Sequence, residues 1–290
     1  MILIALSCVF ALSCEKYNRI IHKNSDNYSI DDADDDPCAN TTSGISNVSS
    51  NIYNGEPVTG DSWISTVALT YTNPQTCESH VFCSGTLIKN NVVVTAAHCL
   101  DSDYAPFNQN IRVYVGNGIP NTGYRGQYRV KTAKTHSYYN PKYSGKIQYD
   151  FGYLELRDTV DSIQINKIIS ESEFESNVYI GRAVTLVGFG ETEKNISGKK
   201  YYGDSEVDSM YYLQGETIPG EIRIDASNGY SLSSACYGDS GGTLYVRIGT
   251  GEYRVLGSLS RGGSECGTFD IYGVHRTIVS WLEDNLGLSF

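Results

Sequence analysis

Proline is scarce in this chain, at 7 of 290 residues, and methionine and tryptophan are scarcer, at 2 each. Basic residues are outnumbered: 22 Lys and Arg stand against 33 Asp and Glu, a formal net charge of −11. A phosphate-binding surface needs the opposite balance, so nucleic acid is excluded as the main partner. The eight cysteines include no C-x-x-C pair, which argues against zinc or thioredoxin-type chemistry and for disulfides in an oxidising compartment. Charged residues reach only 19% against 40% hydrophobic, too apolar for a disordered polymer. Long apolar stripes at helical spacing are missing, and so are internal repeats and any long linker beyond residue 52. What is abundant is glycine, at 29, and tyrosine, at 23, a balance that leans towards an all-β protein.

The first residues, Met1 to Ser13, are apolar or small throughout. The run is too short for a bilayer, which takes about 18 residues, and fits the core of a secretory signal peptide. It lacks the Lys or Arg that usually precedes such a core. Ala11-Leu12-Ser13-Cys14 resembles a lipobox, in which the cysteine is acylated and becomes the N-terminus. A signal peptide that merely contains a cysteine is the other reading. Residues 15–51 are polar and carry the acidic run Asp31-Asp32-Ala33-Asp34-Asp35-Asp36, a self-repelling tether or pro-segment. No glycine turn or spaced ligands of a calcium loop accompany it. Sequons begin at Asn27, Asn40, Asn47 and Asn195.

From residue 52 onward, short β-rich runs alternate with Gly, Asn, Asp and Ser clusters. The runs are Ser65–Tyr71, Val92–Thr95, Ile111–Val115, Tyr128–Lys131, Ala183–Val187, Tyr211–Leu213, Glu221–Ile224, Thr243–Arg247 and Tyr253–Leu259. One helix is expected, Thr277 to Leu286, where Ile278, Trp281, Leu282 and Leu286 recur at helical spacing. Many strands and one terminal helix suit a closed barrel or a sandwich.

Three segments carry chemistry. Val92-Val93-Val94-Thr95-Ala96-Ala97-His98-Cys99 ends a strand in a histidine. Tyr149-Asp150-Phe151-Gly152 sets an acid before another strand. Cys236-Tyr237-Gly238-Asp239-Ser240-Gly241-Gly242 places a serine between glycines. Alone, each has an ordinary structural explanation. Together, in the order His, Asp, Ser, they resemble the chymotrypsin/trypsin family of serine endopeptidases. Further matches are Ile52-Tyr53-Asn54-Gly55, Trp63 through Leu69, Phe82 through Ile88, Gly188-Phe189-Gly190 and Val274 through Leu286. The resemblance covers residues 52–290.

The resemblance implies two six-stranded antiparallel β-barrels with a C-terminal helix, the active site lying between the barrels. It makes Ser240 the nucleophile, His98 its base, and Asp150 the residue that orients the imidazole. The N–H groups of Gly238 and Ser240 would form the oxyanion hole. It implies a zymogen cut at Asn51–Ile52, whose new α-amine pairs with Asp239. Asn51 stands where the family commonly has Arg or Lys, so a trypsin-like activating protease is not expected. It pairs Cys83 with Cys99 and Cys236 with Cys266. With Cys8 removed and Cys14 acylated, Cys38 and Cys77 are left to each other.

The pocket base falls on Ser234, with Gly262 and Gly273 as walls, and Ser260 would offer its backbone to substrate. A neutral open slot favours a large apolar or aromatic side chain. Arg261 and His275 beside it would favour an acidic one instead. The family needs no metal or cofactor for its chemistry. An exported monomer acting on protein or peptide substrates is expected, tied to a membrane if Cys14 is acylated. Two rivals use the same residues differently: a catalytically inactive binding protein on this fold, and an esterase of another fold. The chain order and the lack of a strand–helix elbow around the serine disfavour the esterase.

Overall fold

The computed structural model describes residues 27–29, 38, 52–101, 111–118, 124–140, 148–190, 199–227 and 232–290. Cys8, Cys14, the Asp31–Asp36 run, Asn51 and the sequons at Asn40, Asn47 and Asn195 lie outside them.

The strand-rich pattern folds into two closed antiparallel sheets. The first contains β3 (Thr66–Thr72), β4 (Ser79–Lys89), β5 (Val92–Thr95), β6 (Ile111–Val115), β7 (Gly126–Thr135) and β8 (Gly152–Leu156). Its order is β7-β6-β3-β4-β5-β8, and pairing of β7 with β8 closes the barrel. A short strand, β1 (Asn27–Ser29), is added to β7, with Tyr28 opposite Ala133. The second sheet contains β9 (Ala183–Gly188), β10 (Tyr201–Tyr211), β11 (Glu221–Asp225), β12 (Thr243–Arg247), β13 (Tyr253–Gly262) and β14 (Phe269–Val274). It runs β11-β14-β13-β12-β9-β10 and closes through β11–β10, with β2 (Glu56–Pro57) added to β10. Closure satisfies the strand edges that an open sheet would leave unpaired.

Each barrel has its own core. Val67, Leu69, Leu87, Val93, Val113 and Leu154 fill the first; Leu186, Val207, Ile222, Leu244, Leu256 and Val274 fill the second. Between the barrels lies a buried hydroxyl network. Thr243 Oγ1 stands 2.8 Å from Thr66 Oγ1 and 2.7 Å from Thr86 Oγ1, and Tyr245 adds its hydroxyl at 3.0 Å from Thr66. Thr243, on β12, thus joins two strands of the other barrel.

The C-terminal helix begins as a 3-10 turn, His275–Ile278, and continues as an α-helix, Val279–Leu286. Ile278 and Leu282 pack on Ile88, Val92, Val94 and Phe151 of the first barrel. Gly287, at φ 65°, ends the helix in the left-handed conformation that glycine adopts at least cost. A second α-helix, Glu171–Asn177, was not expected from apolar spacing. It is announced by its cap: Ser170 accepts from the Glu173 N–H, and Glu173 accepts in return from that of Ser170.

Candidate active site

β5 is buried along its whole length, as four β-branched residues in a row favour. It delivers the turn Ala97–Cys99 to the inter-barrel cleft. The Cys83–Cys99 disulfide ties that turn to β4. His98 stands in the middle, its side chain 25% exposed. Asp150 comes from the residue before Phe151 and β8. Its predecessor Tyr149 has φ 50°, an unusual backbone for a bulky residue, and its ring stacks on His136 at 5.2 Å.

Asp150 holds His98 at two points. The His98 backbone N–H donates to Oδ1 at 2.9 Å, and Nδ1 lies 2.8 Å from Oδ2. A carboxylate only accepts, so Nδ1 carries the hydrogen and Nε2 is left basic. Ser260 Oγ also donates to Oδ2, at 2.8 Å, a side-chain contact from the second barrel that the sequence did not signal. Burial opposes the charged imidazolium, but the hydrogen bond and charge of Asp150 outweigh it, and the His98 pKa is raised.

The serine turn is fixed against the same place. The Ser84 N–H donates to the Ser240 carbonyl at 2.8 Å, and Gly241 N–H donates to Leu259 O at 2.8 Å. Gly241, at φ 76°, presses on Thr95, Ser84 and Ala96 so closely that no Cβ would fit. Ser240 is therefore seated against the strand end that carries His98. Gly238 has φ 87°, and its carbonyl accepts from Ser84 Oγ at 3.4 Å. Asp239 N–H is spent on Cys236 O, at 3.1 Å.

Asp239 is 1% exposed. It accepts from Gly190 N–H at 2.5 Å and from Cys236 N–H at 2.9 Å. Glycine at 188 and 190 is required, since any Cβ there would strike its carboxylate. Burial pushes its pKa up to about 7. Ile52 is buried in the second core, and Tyr53 pairs with Ser234, donating its N–H to the Ser234 carbonyl at 2.8 Å.

A cavity of about 140 Å³ opens beside Ser240, lined by Ala235, Gly238, Leu259, Arg261, Gly262 and Asp270 among others. The Cys236–Cys266 disulfide joins two of its walls. Ser234, expected at its base, is buried next to the lining residue Ala235 and does not itself line the cavity. Its Oγ donates to Asp270 Oδ2 at 3.0 Å, and Ala235 N–H donates to the same oxygen at 2.8 Å. An acidic residue that the reading of a neutral slot did not include therefore lies at the cavity. The expected wall residue Gly273 and the neighbouring His275 are not among the residues lining the cavity. Gly273 lies away from the cavity, where its missing side chain makes room for the Phe151 ring. His275 is fully buried behind the cavity with Nε2 2.6 Å from Ser258 Oγ, and burial pushes its pKa down to about 3, so it stays neutral. Arg261 is engaged by Glu221, at 2.8 and 2.6 Å.

Cys83, His98 and Cys99 cluster closely, but the two sulfurs are joined to each other and so offer no thiolate to a metal. A third disulfide joins Cys38 to Cys77. A larger groove of about 970 Å³, around Trp63, Tyr202 and Tyr253, contains none of His98, Asp150 and Ser240.

Two closed barrels with a histidine–aspartate pair and a glycine-flanked serine between them define a double-barrel hydrolase. Residues 52–282 match the trypsin family, and the chain belongs to this family of serine endopeptidases. It is 27% identical over 249 residues to melanization protease 1 of Drosophila melanogaster, covering 74% of this chain and 60% of that protein. It is 26% identical over 232 residues to human chymotrypsin-like elastase family member 1, covering 76% and 84%. With bovine chymotrypsin-C it shares 28% over 260 residues, covering 83% and 91%.

Proposed function

We propose that the protein is an exported zymogen that hydrolyses peptide bonds in protein substrates through His98, Asp150 and Ser240. The observation that carries this is the two-point hold of Asp150 on His98, with Ser240 seated against the same strand end. In the proposed cycle Nε2 of His98 takes the Ser240 hydroxyl proton as Oγ attacks the carbonyl carbon. The N–H groups of Gly238 and Ser240 receive the developing oxyanion, each worth about 3 kcal/mol. His98 then gives its proton to the leaving amine, an acyl-enzyme remains, and water attacks it by the same proton route.

Activation would follow cleavage of Asn51–Ile52 by a protease that accepts asparagine. The freed Ile52 amine would then neutralise Asp239, a buried carboxylate that accepts from the backbone N–H groups of Gly190 and Cys236. Three disulfides support export to an oxidising compartment. Acylation of Cys14 would anchor the protein, and the Cys38–Cys77 bridge would keep the catalytic domain on that anchor after the cut.

The test is covalent labelling by a fluorophosphonate probe, together with cleavage of a peptide library by protein cut between Asn51 and Ile52. Labelling and peptide cleavage that both vanish in Ser240→Ala support the reading. A cut protein that neither labels nor cleaves would be a binding protein on this fold.

A further inference from the structure

We infer that Asp270 is the specificity-determining residue of the primary pocket and that it selects a lysine or arginine side chain before the scissile bond. The inference rests on the peptidase reading above and names the substrate class of that site.

The argument is geometric. Asp270 belongs to β14, yet its carboxylate reaches the cavity base, 36 residues along the chain from Ser234. Oδ2 is fixed by Ser234 Oγ and Ala235 N–H. Oδ1 lies 2.9 Å from where a Cβ would stand on Gly262, a residue of the cavity wall. The second oxygen therefore faces the space that a substrate side chain would fill. Its two hydrogen bonds pin the head group, so the carboxyl is held in place before substrate arrives.

The other charges at the cavity point the same way. Arg261, which could have drawn an acidic side chain, is bound by both oxygens of Glu221. Glu265 stands exposed at the mouth. His275 is buried and neutral. Among the described residues lining the cavity, Arg261 is the single cation, and it is neutralised. A buried carboxylate with no cation is costly to ionise, which burial shows by pushing the Asp270 pKa up to about 7. An ammonium or guanidinium entering the cavity removes that cost. An acidic side chain adds to it, and an apolar one leaves it in place.

The experiment uses the full chain, cut before Ile52 through a protease site introduced there, as wild type and as Asp270→Asn. Asparagine keeps an oxygen for Ser234 and Ala235 while removing the charge. Peptides differing only in the residue before the scissile bond are compared by kcat/KM. Arginine and lysine are expected to exceed phenylalanine and leucine by about 100-fold in wild type, and that ratio is expected to fall at least about 30-fold in Asp270→Asn. A wild-type preference for apolar or acidic residues, or a ratio that Asp270→Asn leaves unchanged, would overturn the inference. An equal loss on all substrates would also overturn it, by making Asp270 a structural residue.

Fluorophosphonate labelling reports Ser240 separately, so a protein that labels but ignores arginine fails here alone. If the probe does not label, the peptidase reading fails, and calorimetric binding of benzamidine still decides the pocket. Binding lost in Asp270→Asn supports the inference; no binding to wild type refutes it.

Discussion

The carboxylate of Asp150 meets His98 twice, at its backbone N–H and at its imidazole Nδ1, and takes a third hydrogen bond from Ser260 of the other barrel. That third bond makes the imidazole's orientation depend on how the two barrels dock. Replacing Asp150 by Asn is expected to lower kcat by about 10⁴-fold with little change in KM, since an amide can hold the wrong tautomer. Ser260→Ala removes one hydrogen bond to a charged group and is expected to cost about tenfold in kcat/KM. Without that bond more of the Oδ2 charge faces the imidazolium, so the acidic limb of the pH profile should move upward. A purely structural role for Ser260 would lower activity without moving that limb. Steady-state kinetics from pH 5 to 9 separate the two.

In wild type the acidic limb itself has a definite direction. His98 acts only when neutral, because Nε2 must accept the serine proton. Burial lowers its pKa, but the hydrogen bond and charge of Asp150, with the charge of Asp101, raise it above 6.5 overall. Activity should therefore rise with pH through a midpoint above 6.5. A midpoint below that value, measured as kcat/KM on one substrate, would contradict the electrostatic balance described for His98.

How far the chain could be read by eye follows from where the signals are local. β5 is legible because four β-branched residues stand together, and the His98, Asp150 and Ser240 segments are legible because each carries its motif in a short window. β10 was reduced to Tyr211–Leu213, whereas the strand runs Tyr201–Tyr211. Its inward positions include Gly203 and Ser205, too small to write an apolar alternation. The helix Glu171–Asn177 buries only Phe174, so its signal lies in the Ser170–Glu173 cap and not in its spacing. Asp270 escaped notice for another reason. Its meaning comes from a contact with Ser234 across two strands' worth of chain, which no short window contains.

Two buried acids give stability a pH dependence. Burial raises the pKa of both Asp239 and Asp270 from 3.8 to about 7, and the charge of a neighbouring acid adds to each: Asp270 acts on Asp239, and Asp225 on Asp270. Between pH 3.8 and about 7 the folded chain holds protons that the unfolded chain releases. The share of stability that these two acids contribute is thus fully present below pH 3.8, falls as pH rises through that window and is gone above it. His136 and His275, whose pKa values burial lowers to about 4 and about 3, contribute in the opposite direction up to pH 6.5. Each unit of displacement corresponds to about 1.4 kcal/mol. Relative to wild type, Asp239→Asn and Asp270→Asn should each shift the change in Tm between pH 4 and 7 towards more positive values, and the double variant should shift it most. Cutting before Ile52 should remove the Asp239 share, because an amine at Asp239 favours the ionised carboxylate. A double variant whose change in Tm between pH 4 and 7 equals that of the uncut wild type would refute this account.

The Cys38–Cys77 bridge sets the fate of the segment ahead of the cut. Cys38 is 1% exposed, and Arg112 Nη1 donates to its carbonyl at 3.3 Å, so the bridge is built into the first barrel. Upstream, Asn27–Ser29 adds three residues to β7. A pairing that short is marginal by itself. After cleavage at Asn51–Ile52 the disulfide, and not the strand, should therefore retain the segment ahead of the cut. Denaturing electrophoresis of the cut protein should give one species without reductant and two with it. Cys38→Ser should release the segment from the cut protein without reductant; in the uncut chain, where the bridge closes a loop of 39 residues, it should lower unfolding stability by roughly 2–4 kcal/mol. Recovery of the free segment from unreduced wild-type protein would show that the catalytic domain leaves its tether on activation.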